Sequence, residues 1–388
     1  MGPAEPLSVV AVSPVAEAGG AEVLLMDILT GLQARGVAVS LVALGDGPLH
    51  DLARSRGIAV LSGPPLSFRR PLSVLTSVRT VRRAVRRSVP AVVHASHPKG
   101  QLVSRLGCLG LPVAQSTQLY DPPSAPTPSE SVTRRLRGLR FVISAETAEA
   151  YSGILRAPVE LIPPGIDLGR LVDSARRGNP AAAWDRAGLE SAGGSRIVMV
   201  ARLQRFKGPL DFVDVAATVV ERHPAQFLIV GPDSPQEPAL REEIGERIRD
   251  RGLSSVVALA GRLSSDDLAA TVEAADLLLH PTRRETFGLA VLEALALGTP
   301  AIAYDSPGPR AILAGGGGRV VPPGDVSGLS SAVLEALGDR ELLERWRDEA
   351  RAGTARFDIG VVVDRYVEVF ERLASARSKV WPPGLNGA

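Results

Sequence analysis

The feature that most constrains the fold is an alternation of short apolar runs with longer helical patterns along nearly all of the 388 residues. The first apolar run, residues 7–12, precedes a glycine-bearing loop and a helical pattern at residues 23–33. A second series of the same kind starts at residues 196–200 and reaches a helical pattern at residues 326–337. Such alternation is typical of βαβ units on a parallel sheet. The sequence therefore predicts an α/β protein with two doubly wound sheets.

Between the two series, residues 176–194 are rich in Arg, Ala and Gly and have weak strand signals, so we interpret them as the linker. Doubly wound sheets bind ligands beyond the carboxyl ends of their strands. We therefore expect the two sheets to face one cleft that holds the ligand. No GxGxxG follows a predicted strand, which argues against a dinucleotide cofactor.

Composition excludes several classes of function. Aromatic residues make up only 4% and the net charge is +2, so we expect no nucleic-acid partner. A single cysteine, Cys108, excludes an internal disulfide and a multi-cysteine metal site. The N-terminus lacks a signal-peptide pattern and no apolar run is long enough to cross a bilayer, so we expect a cytoplasmic protein. Lysine occurs only at Lys99, Lys207 and Lys379, so a lysine inside a motif is informative.

The most informative segment begins where a strand pattern ends, at His280, and carries Glu285 and Glu293. A helix pattern starts near Phe287 or Gly288. The first turn of a helix leaves N–H groups free and its dipole favours an anion, while glycine allows a ligand close to the backbone. The two glutamates are about 12 Å apart at 1.5 Å per residue. This spacing suits two carboxylates that hold hydroxyl groups on either side of a diphosphate.

This segment resembles the E-x7-E signature of the family-four retaining glycosyltransferases, which have the GT-B fold. The resemblance implies that Glu285 contacts the donor sugar and that Glu293 binds the ribose. It also implies that the backbone amides of Phe287, Gly288 and Leu289 contact the diphosphate. We therefore expect an α/β protein of the GT-B fold, with two Rossmann-like doubly wound domains facing a central cleft.

Other segments resemble the same family in the same order. Residues 200–208 are similar to its GRL…KG loop, with Ala where the first Gly is usual, and Arg202 and Lys207 are expected to stabilise a departing diphosphate without a metal ion. Residues 19–22 resemble its GGAE loop, in which Gly19 and Gly20 let the backbone approach the donor.

Two further segments complete the resemblance. Residues 161–167 resemble the IPNGID segment at the domain junction, with Pro164 in place of Asn. Residues 258–263 match the place where the family holds the nucleobase, which seats the base near Arg262 and Leu263.

Residues 93–100 depart from the family pattern HxHxxKAG, because Ser96 stands where the second His is usual and His97 follows it. In the family this strand end lies beside the reacting carbon, so either Ser96 or His97 meets the donor sugar. We count His97 among the catalytic candidates, with Arg202, Lys207 and Glu285. His94 is either a core histidine or part of the site.

The acceptor-binding candidates lie on segments that we expect to line the cleft of the N-terminal domain. If Glu17 and Asp121 both face the cleft, a cationic acceptor such as an amino sugar or aminocyclitol is favoured, as in antibiotic biosynthesis. The full set of acceptor candidates is Glu17, Ser96, His97, Lys99, Gln118, Tyr120 and Asp121.

Residues 71–87 combine apolar residues at helical spacing with many arginines. Such a helix either packs on the core with a solvated Arg face or lies on an anionic membrane surface. We favour the packed helix. Docking on a membrane would imply a lipid-linked acceptor.

The sequence thus predicts a retaining glycosyltransferase that moves a hexosyl or N-acetylhexosaminyl group from a nucleotide-sugar, UDP-linked in most of the family, to a hydroxyl of a small acceptor. No Asp-x-Asp motif is present, and we expect neither a metal ion nor a cofactor. The alternatives are a sugar-nucleotide epimerase, a nucleotide-sugar-binding protein and, less favoured, a pyridoxal-phosphate phosphorylase. The oligomeric state is left open.

The family resemblance also implies the domain bounds. The acceptor-binding domain is expected at residues 1–173 plus 361–388, because a final helix returns to it, and the donor-binding domain at residues 174–360. A disordered tail is expected at residues 381–388.

Overall fold

The computed structural model describes residues 7–88, 90–123, 134–155, 157–189 and 194–380. The chain divides into two units, one comprising Met1–Ile166 with Ile359–Ala388 and the other Asp167–Asp358. The domain bounds expected from the sequence are 173/174 and 360/361. The expected tail and most of the proline-rich stretch at residues 121–128 lie outside the described residues.

The described strands are short, most of them are apolar, and they pair in parallel, as the alternation predicts. They are β1 (Ser8–Ser13), β2 (Ala38–Leu44), β3 (Ala59–Gly63), β4 (Val92–Ala95), β5 (Ala114–Leu119), β6 (Leu139–Val142), β7 (Val159–Leu161), β8 (Ser195–Val200), β9 (Ala225–Val230), β10 (Val257–Gly261), β11 (Leu277–His280), β12 (Ala301–Tyr304) and β13 (Gly318–Val321).

The described helices connect these strands. They are α1 (Gly20–Ala34), α2 (Leu49–Ser55), α3 (Pro71–Ser88), α4 (Pro98–Gly107), α5 (Ala145–Tyr151), α6 (Leu168–Arg177), α7 (Ala182–Arg186), α8 (Pro209–Val220), α9 (Leu240–Asp250), α10 (Ser265–Glu273), α11 (Leu289–Leu297), α12 (Pro307–Leu313), α13 (Val326–Gly338), α14 (Arg340–Thr354) and α15 (Ile359–Val380).

The first unit is built on a parallel sheet with the strand order β3-β2-β1-β4-β5-β6-β7. The order reverses between β1 and β4, which makes the carboxyl ends of these two strands the topological switch point. The second unit has the order β10-β9-β8-β11-β12-β13, with its switch point between β8 and β11. Both units are therefore Rossmann-like, which confirms the predicted fold class.

The C-terminal helix α15 returns to the first unit and completes its core. Tyr366 stacks on Phe141 with ring centroids 5.0 Å apart, and Phe370 meets the same ring edge-on at 5.7 Å. His94 is buried among these rings, with Nδ1 3.0 Å from the Ser116 hydroxyl. Burial lowers the pKa of His94 to about 4. His94 is therefore a core histidine.

The interpretation of residues 176–194 as a linker is wrong for the described part. Helix α6 extends to Arg177, which pairs with Asp266 on α10, and α7 contacts α10 and the edge strand β10. Trp184 of α7 is fully buried, and the Arg196 guanidinium lies over its ring, 5.2 Å from the centroid. A single tryptophan thus anchors a segment whose composition otherwise indicates a loop.

In the part of the chain that the structure describes, no helix combines the length and the apolar character needed to span a membrane.

Candidate active site

The switch point of the second unit gathers the residues on which the donor-site prediction depends. Strand β8 leads into the loop with Arg202 and Lys207, and β11 leads into the loop with Glu285. The two strands are neighbours in the sheet, so their following loops meet although they lie far apart in sequence. Ligands of open α/β sheets bind at this position.

The two loops are fastened to each other by the backbone. Arg283 N donates to Phe206 O at 2.9 Å, and the single turn Arg205–Lys207 ends at Gly208 in the left-handed region, with φ 77°. A Cβ at position 208 would clash with the carbonyl oxygen of Pro281. Gly208 is therefore required both by its backbone conformation and by the close approach of the second loop.

Lys207 and Glu285 form an ion pair at the meeting point of these loops. Lys207 Nζ lies 2.7 Å from Glu285 Oε2, and the side chains are only 21% and 17% exposed. The same oxygen lies 3.4 Å from Nε2 of His280, the last residue of β11. This is a long contact, and the buried ring of His280 has no other polar partner among the described residues.

The charges around Glu285 keep its carboxylate ionised. Burial raises the pKa of Glu285, but His280 and Lys207 together outweigh this effect and lower the pKa to about 2. The group is therefore an acceptor of hydrogen bonds at neutral pH and not a proton donor. It can hold sugar hydroxyls, as the sequence analysis expects, whereas general-acid catalysis would require a raised pKa.

Helix α11 begins directly after this cluster. Gly288 adopts a left-handed conformation with φ 92°, and the first helical bond runs from Leu292 N to Gly288 O at 3.1 Å. The N–H groups in the turn before Leu292 have no partner inside the helix, so this end can receive an anion. Phe287 does not face outward, because it is buried with its ring 5.8 Å from that of Phe357.

The remaining donor candidates lie around this helix end. Glu293 is half-buried in the second turn of α11. Arg202 is exposed after β8 and forms no ion pair or side-chain hydrogen bond with the described residues, so it can meet a ligand phosphate. After β10, Arg262 is exposed and Leu263 is half-buried. The structure brings Lys207 and Glu285 into contact and leaves the roles of the others as predictions.

Two parts of this site are not predicted from the sequence. His280 enters the prediction only as a strand end, although a histidine at the carboxyl end of a central strand is a usable signal. Asp211 accepts from both Arg283, at 2.9 Å, and the Tyr304 hydroxyl, at 2.9 Å. This second network ties α8 to the β11 loop and to β12, so it holds the loop of Glu285 in place.

In the first unit, the switch point lies between the β1 loop and the β4 loop. The β1 loop carries Gly19 and Gly20, and Gly19 N donates to the Glu22 carboxylate at 3.1 Å. After β4, Ser96 is buried whereas His97 is exposed at the start of α4, where its Nδ1 accepts from Lys99 N at 3.1 Å.

The exposed Lys99 follows in the first turn of α4. Of the two residues left open by the sequence, His97 is thus the accessible one.

Two of the acceptor predictions need correction. Gln118 lies inside β5 and not on a loop, and its buried Oε1 accepts from the Tyr366 hydroxyl at 2.8 Å. The Tyr120 hydroxyl donates to Ala21 O at 3.4 Å, and burial raises its pKa. Both side chains therefore stabilise the core that α15 completes.

Glu17 and Asp121, in contrast, are exposed at the carboxyl ends of β1 and β5, which flank β4 in the sheet.

Among the residues that the structure describes, no group of three or more His, Cys, Asp or Glu side chains is placed to hold a metal ion.

Comparison with family models matches both halves of the chain. Residues 18–170 match the model described as Glycosyltransferase Family 4, and residues 182–353 match that described as Glycosyl transferases group 1. The first match falls in the unit that carries Gly19 and His97, and the second in the unit that carries Lys207 and Glu285.

Curated relatives are similar over parts of the chain. An exopolysaccharide phosphotransferase of Streptomyces coelicolor is 35% identical over 47% of this chain and 19% of its own length. A D-inositol 3-phosphate glycosyltransferase of Nocardia farcinica is 35% identical over 55% of this chain and 47% of its own length. An alpha-D-kanosaminyltransferase of Streptomyces kanamyceticus is 28% identical over 46% and 40%. The chain thus spans about half the length, or less, of these relatives.

Solved structures share the fold over nearly the whole chain. The crystal structure of Anabaena HepE in complex with UDP has a TM-score of 0.81 and 20% identity, and the match covers 94% of this chain and 100% of that one. A glycosyltransferase from Rickettsia africae has a TM-score of 0.82 and 15% identity, covering 95% and 99%. At this identity the likeness shows the fold alone. Each unit thus matches a glycosyltransferase family model over most of its length, and the two-sheet GT-B fold is shared with these solved structures.

Proposed function

We propose that this chain is a retaining, metal-independent glycosyltransferase. It moves a hexosyl or N-acetylhexosaminyl group from a UDP-linked sugar to a hydroxyl of a small acceptor. A cytoplasmic location is part of the same proposal.

One observation carries the proposal, namely the pairing of Lys207 with Glu285 beside the start of α11. An ammonium, an ionised carboxylate and a helix N-terminus lie together at the switch point of the sheet. The helix start and Lys207 suit the negative charge of a diphosphate, and Glu285 suits the hydroxyls of the attached sugar. A nucleotide-sugar presents both a diphosphate and sugar hydroxyls next to it.

The exposed Arg202 adds a second cation to the same loop. As the bond between the anomeric carbon and the donor phosphate breaks, negative charge develops on the departing diphosphate. Arg202, Lys207 and the N–H groups of α11 can stabilise this charge without a divalent ion. In the front-face displacement that we propose, the acceptor oxygen bonds to the anomeric carbon on the side that the phosphate leaves. The acceptor's proton passes to the departing phosphate oxygen.

The acceptor is assigned to the first unit, where Glu17 and Asp121 are exposed on either side of the β4 loop. Two carboxylates in this position favour a cationic acceptor such as an amino sugar or aminocyclitol, as in secondary metabolism. The similarity to an alpha-D-kanosaminyltransferase supports this choice. Alanine variants of Glu17 and Asp121 are expected to weaken acceptor affinity, and unchanged affinity would remove the assignment.

The test is a panel of nucleotide-sugars, with nucleotide release measured in the presence of each candidate acceptor. Release that depends on the acceptor and persists with a chelator present supports the proposal. The anomeric configuration of the product, read by NMR, tests retention. Conversion of a nucleotide-sugar without any acceptor would instead indicate an epimerase, and binding without release would indicate a binding protein.

A further inference from the structure

The positive charge of this chain is concentrated in one continuous segment. Between Asp51 and Asp121 there is no Asp or Glu, whereas eleven Arg and Lys residues fall in this interval. The whole chain has a net charge of only +2, so the rest of the chain is net negative. The segment includes helices α3 and α4 of the first unit.

Few of these cations have a partner among the described residues. Arg54 pairs with Asp51 and Arg56 pairs with Asp27. Arg82 donates hydrogen bonds to the carbonyl oxygens of Gly107 and Leu109, at and just after the end of α4. The other eight form no ion pair and no side-chain hydrogen bond with the residues that the structure describes. They are Arg69, Arg70, Arg79, Arg83, Arg86, Arg87, Lys99 and Arg105.

Helix α3 has two opposite faces. Its buried residues, among them Val81 and Val85, pack on the sheet, which confirms that the helix is a packed one. At 100° per residue, the solvent side carries a stripe within an arc of about 80°. We call this the basic stripe, and its members are Leu72, Leu75, Arg79, Arg83 and Arg86.

The leucines of the basic stripe are unusually accessible for a packed helix. Leu72 is 78% exposed and Leu75 is 45% exposed, and both lie in the first two turns. Leu106 and Leu109, at the end of α4 that receives Arg82, are also exposed. Exposed leucines that share one stripe with unpaired cations are the composition of a surface that lies in a membrane interface.

We propose that the basic stripe docks the first unit on an anionic phospholipid bilayer. Leu72 and Leu75 enter the headgroup region, and the arginines pair with lipid phosphates. The stripe extends about 21 Å along the helix axis, so three arginines can meet separate lipids. Docking of this kind concerns the surface of α3 and leaves the proposed small acceptor unchanged.

Nucleic acid is the other anionic partner, and the observations favour lipid. Phosphate backbones need cations but not exposed leucines, and the segment offers no exposed aromatic residue for stacking on bases. The leucines occupy the same stripe as the arginines, which a bilayer interface requires because it is both charged and apolar.

The experiment is sedimentation of the full-length protein with vesicles of phosphatidylglycerol mixed with phosphatidylcholine, against vesicles of phosphatidylcholine alone. Each basic residue near an anionic membrane strengthens binding about fivefold. The variant R79Q/R83Q/R86Q is therefore expected to bind mixed vesicles about 100-fold more weakly than the wild type. The variant L72S/L75S is expected to lose binding although its charge is unchanged.

A matched control removes the same charge from the second unit. Three arginines of that unit are exposed and form no ion pair with the described residues, namely Arg222, Arg249 and Arg345. The variant R222Q/R249Q/R345Q is expected to bind like the wild type. Equal losses in the two triple variants, or equal binding to both kinds of vesicle, would overturn the proposal. Tighter binding to a DNA duplex than to the mixed vesicles, unchanged by the substitutions L72S/L75S, would also overturn the proposal.

This test needs neither a donor nor an acceptor. Its outcome is therefore independent of the proposed transferase activity. Thermal unfolding of each variant shows whether the fold is kept, and the substituted side chains are exposed, so we expect unchanged unfolding midpoints.

Discussion

Replacement of Lys207 by alanine is the most direct perturbation of the candidate site. The ammonium group is one of three cations on the β8 loop and the one in contact with Glu285. Removal of one group that stabilises developing negative charge costs about 100- to 1,000-fold in kcat, or roughly 3–4 kcal/mol. We therefore expect Lys207→Ala to lower the rate of acceptor-dependent nucleotide release by about this factor.

The same substitution also lowers the free energy of unfolding by a smaller amount. The pH dependence of unfolding distinguishes this effect from the effect on rate. Burial raises the pKa of Glu285, but His280 and Lys207 lower it from 4.5 to about 2. A lowered pKa in the folded state means that the interaction stabilises the protein above pH 4.5 and that this is lost as the pH falls toward 2. Without Lys207 we expect a loss of roughly 2 kcal/mol at neutral pH.

The stability difference between wild type and Lys207→Ala should shrink as the pH falls from 4.5 toward 2. Urea unfolding of both proteins across this range measures it. A constant difference at every pH would show that the ion pair is not what the substitution removes.

Arg205→Ala is the matched control for the rate. Arg205 lies in the same turn and carries the same charge, but its guanidinium pairs with Glu237 and Glu243 on the surface. We expect Arg205→Ala to change kcat less than tenfold, because an exposed pair contributes little. If both variants lose activity equally, or if folded Lys207→Ala retains activity near that of the wild type, the assigned role of Lys207 is wrong.

The remaining predictions concern the support of the same site and the corrected segment. His280→Leu is expected to raise the pKa of Glu285, so the acid limb of the kcat/KM profile for the donor moves to higher pH, and His280→Gln should restore it in part. An unmoved limb in His280→Leu would show that His280 does not act on Glu285. Gly208→Ala should lower donor affinity and the unfolding midpoint together, since the left-handed backbone and Pro281 leave no room for a Cβ; calorimetry measures both. Trp184→Ala should cost about 3–5 kcal/mol in urea unfolding, whereas a loose linker would tolerate it.

Much of the fold could be predicted because parallel strands are buried on both faces and therefore appear as continuous apolar runs. The strand pattern at residues 196–200, the strand that ends at His280 and the helical pattern at residues 326–337 match β8, β11 and α13. Strand β13 and the helices α4, α5, α6, α7, α12 and α14 are not predicted. Among the longer of these, α4 begins with Pro98 and has a glycine in its first turn, and charged residues outnumber apolar ones in α14.

The candidate donor site could be predicted residue by residue, but not as a contact. Lys207 and Glu285 are 78 residues apart, and only the sheet order, with β8 next to β11, brings their loops together. The family resemblance supplied the two roles separately. The effect of each residue on the other, and the position of His280 beside them, follow from tertiary packing that no local pattern contains.

The acceptor side was harder to predict because a distant helix decides which side chains are buried. The partner of Gln118 is Tyr366, 248 residues away on α15, and without that helix Gln118 would be at the surface of the sheet. In the sequence, the polar side chain of Gln118 at a strand end therefore cannot be distinguished from that of a binding residue. Since α15 covers Gln118 and Tyr120 points its hydroxyl at α1, the acceptor candidates that stay exposed are Glu17, His97, Lys99 and Asp121. Glu17 and Asp121 are acidic and Lys99 is cationic, so the proposed cationic acceptor depends on the two carboxylates outweighing the ammonium group.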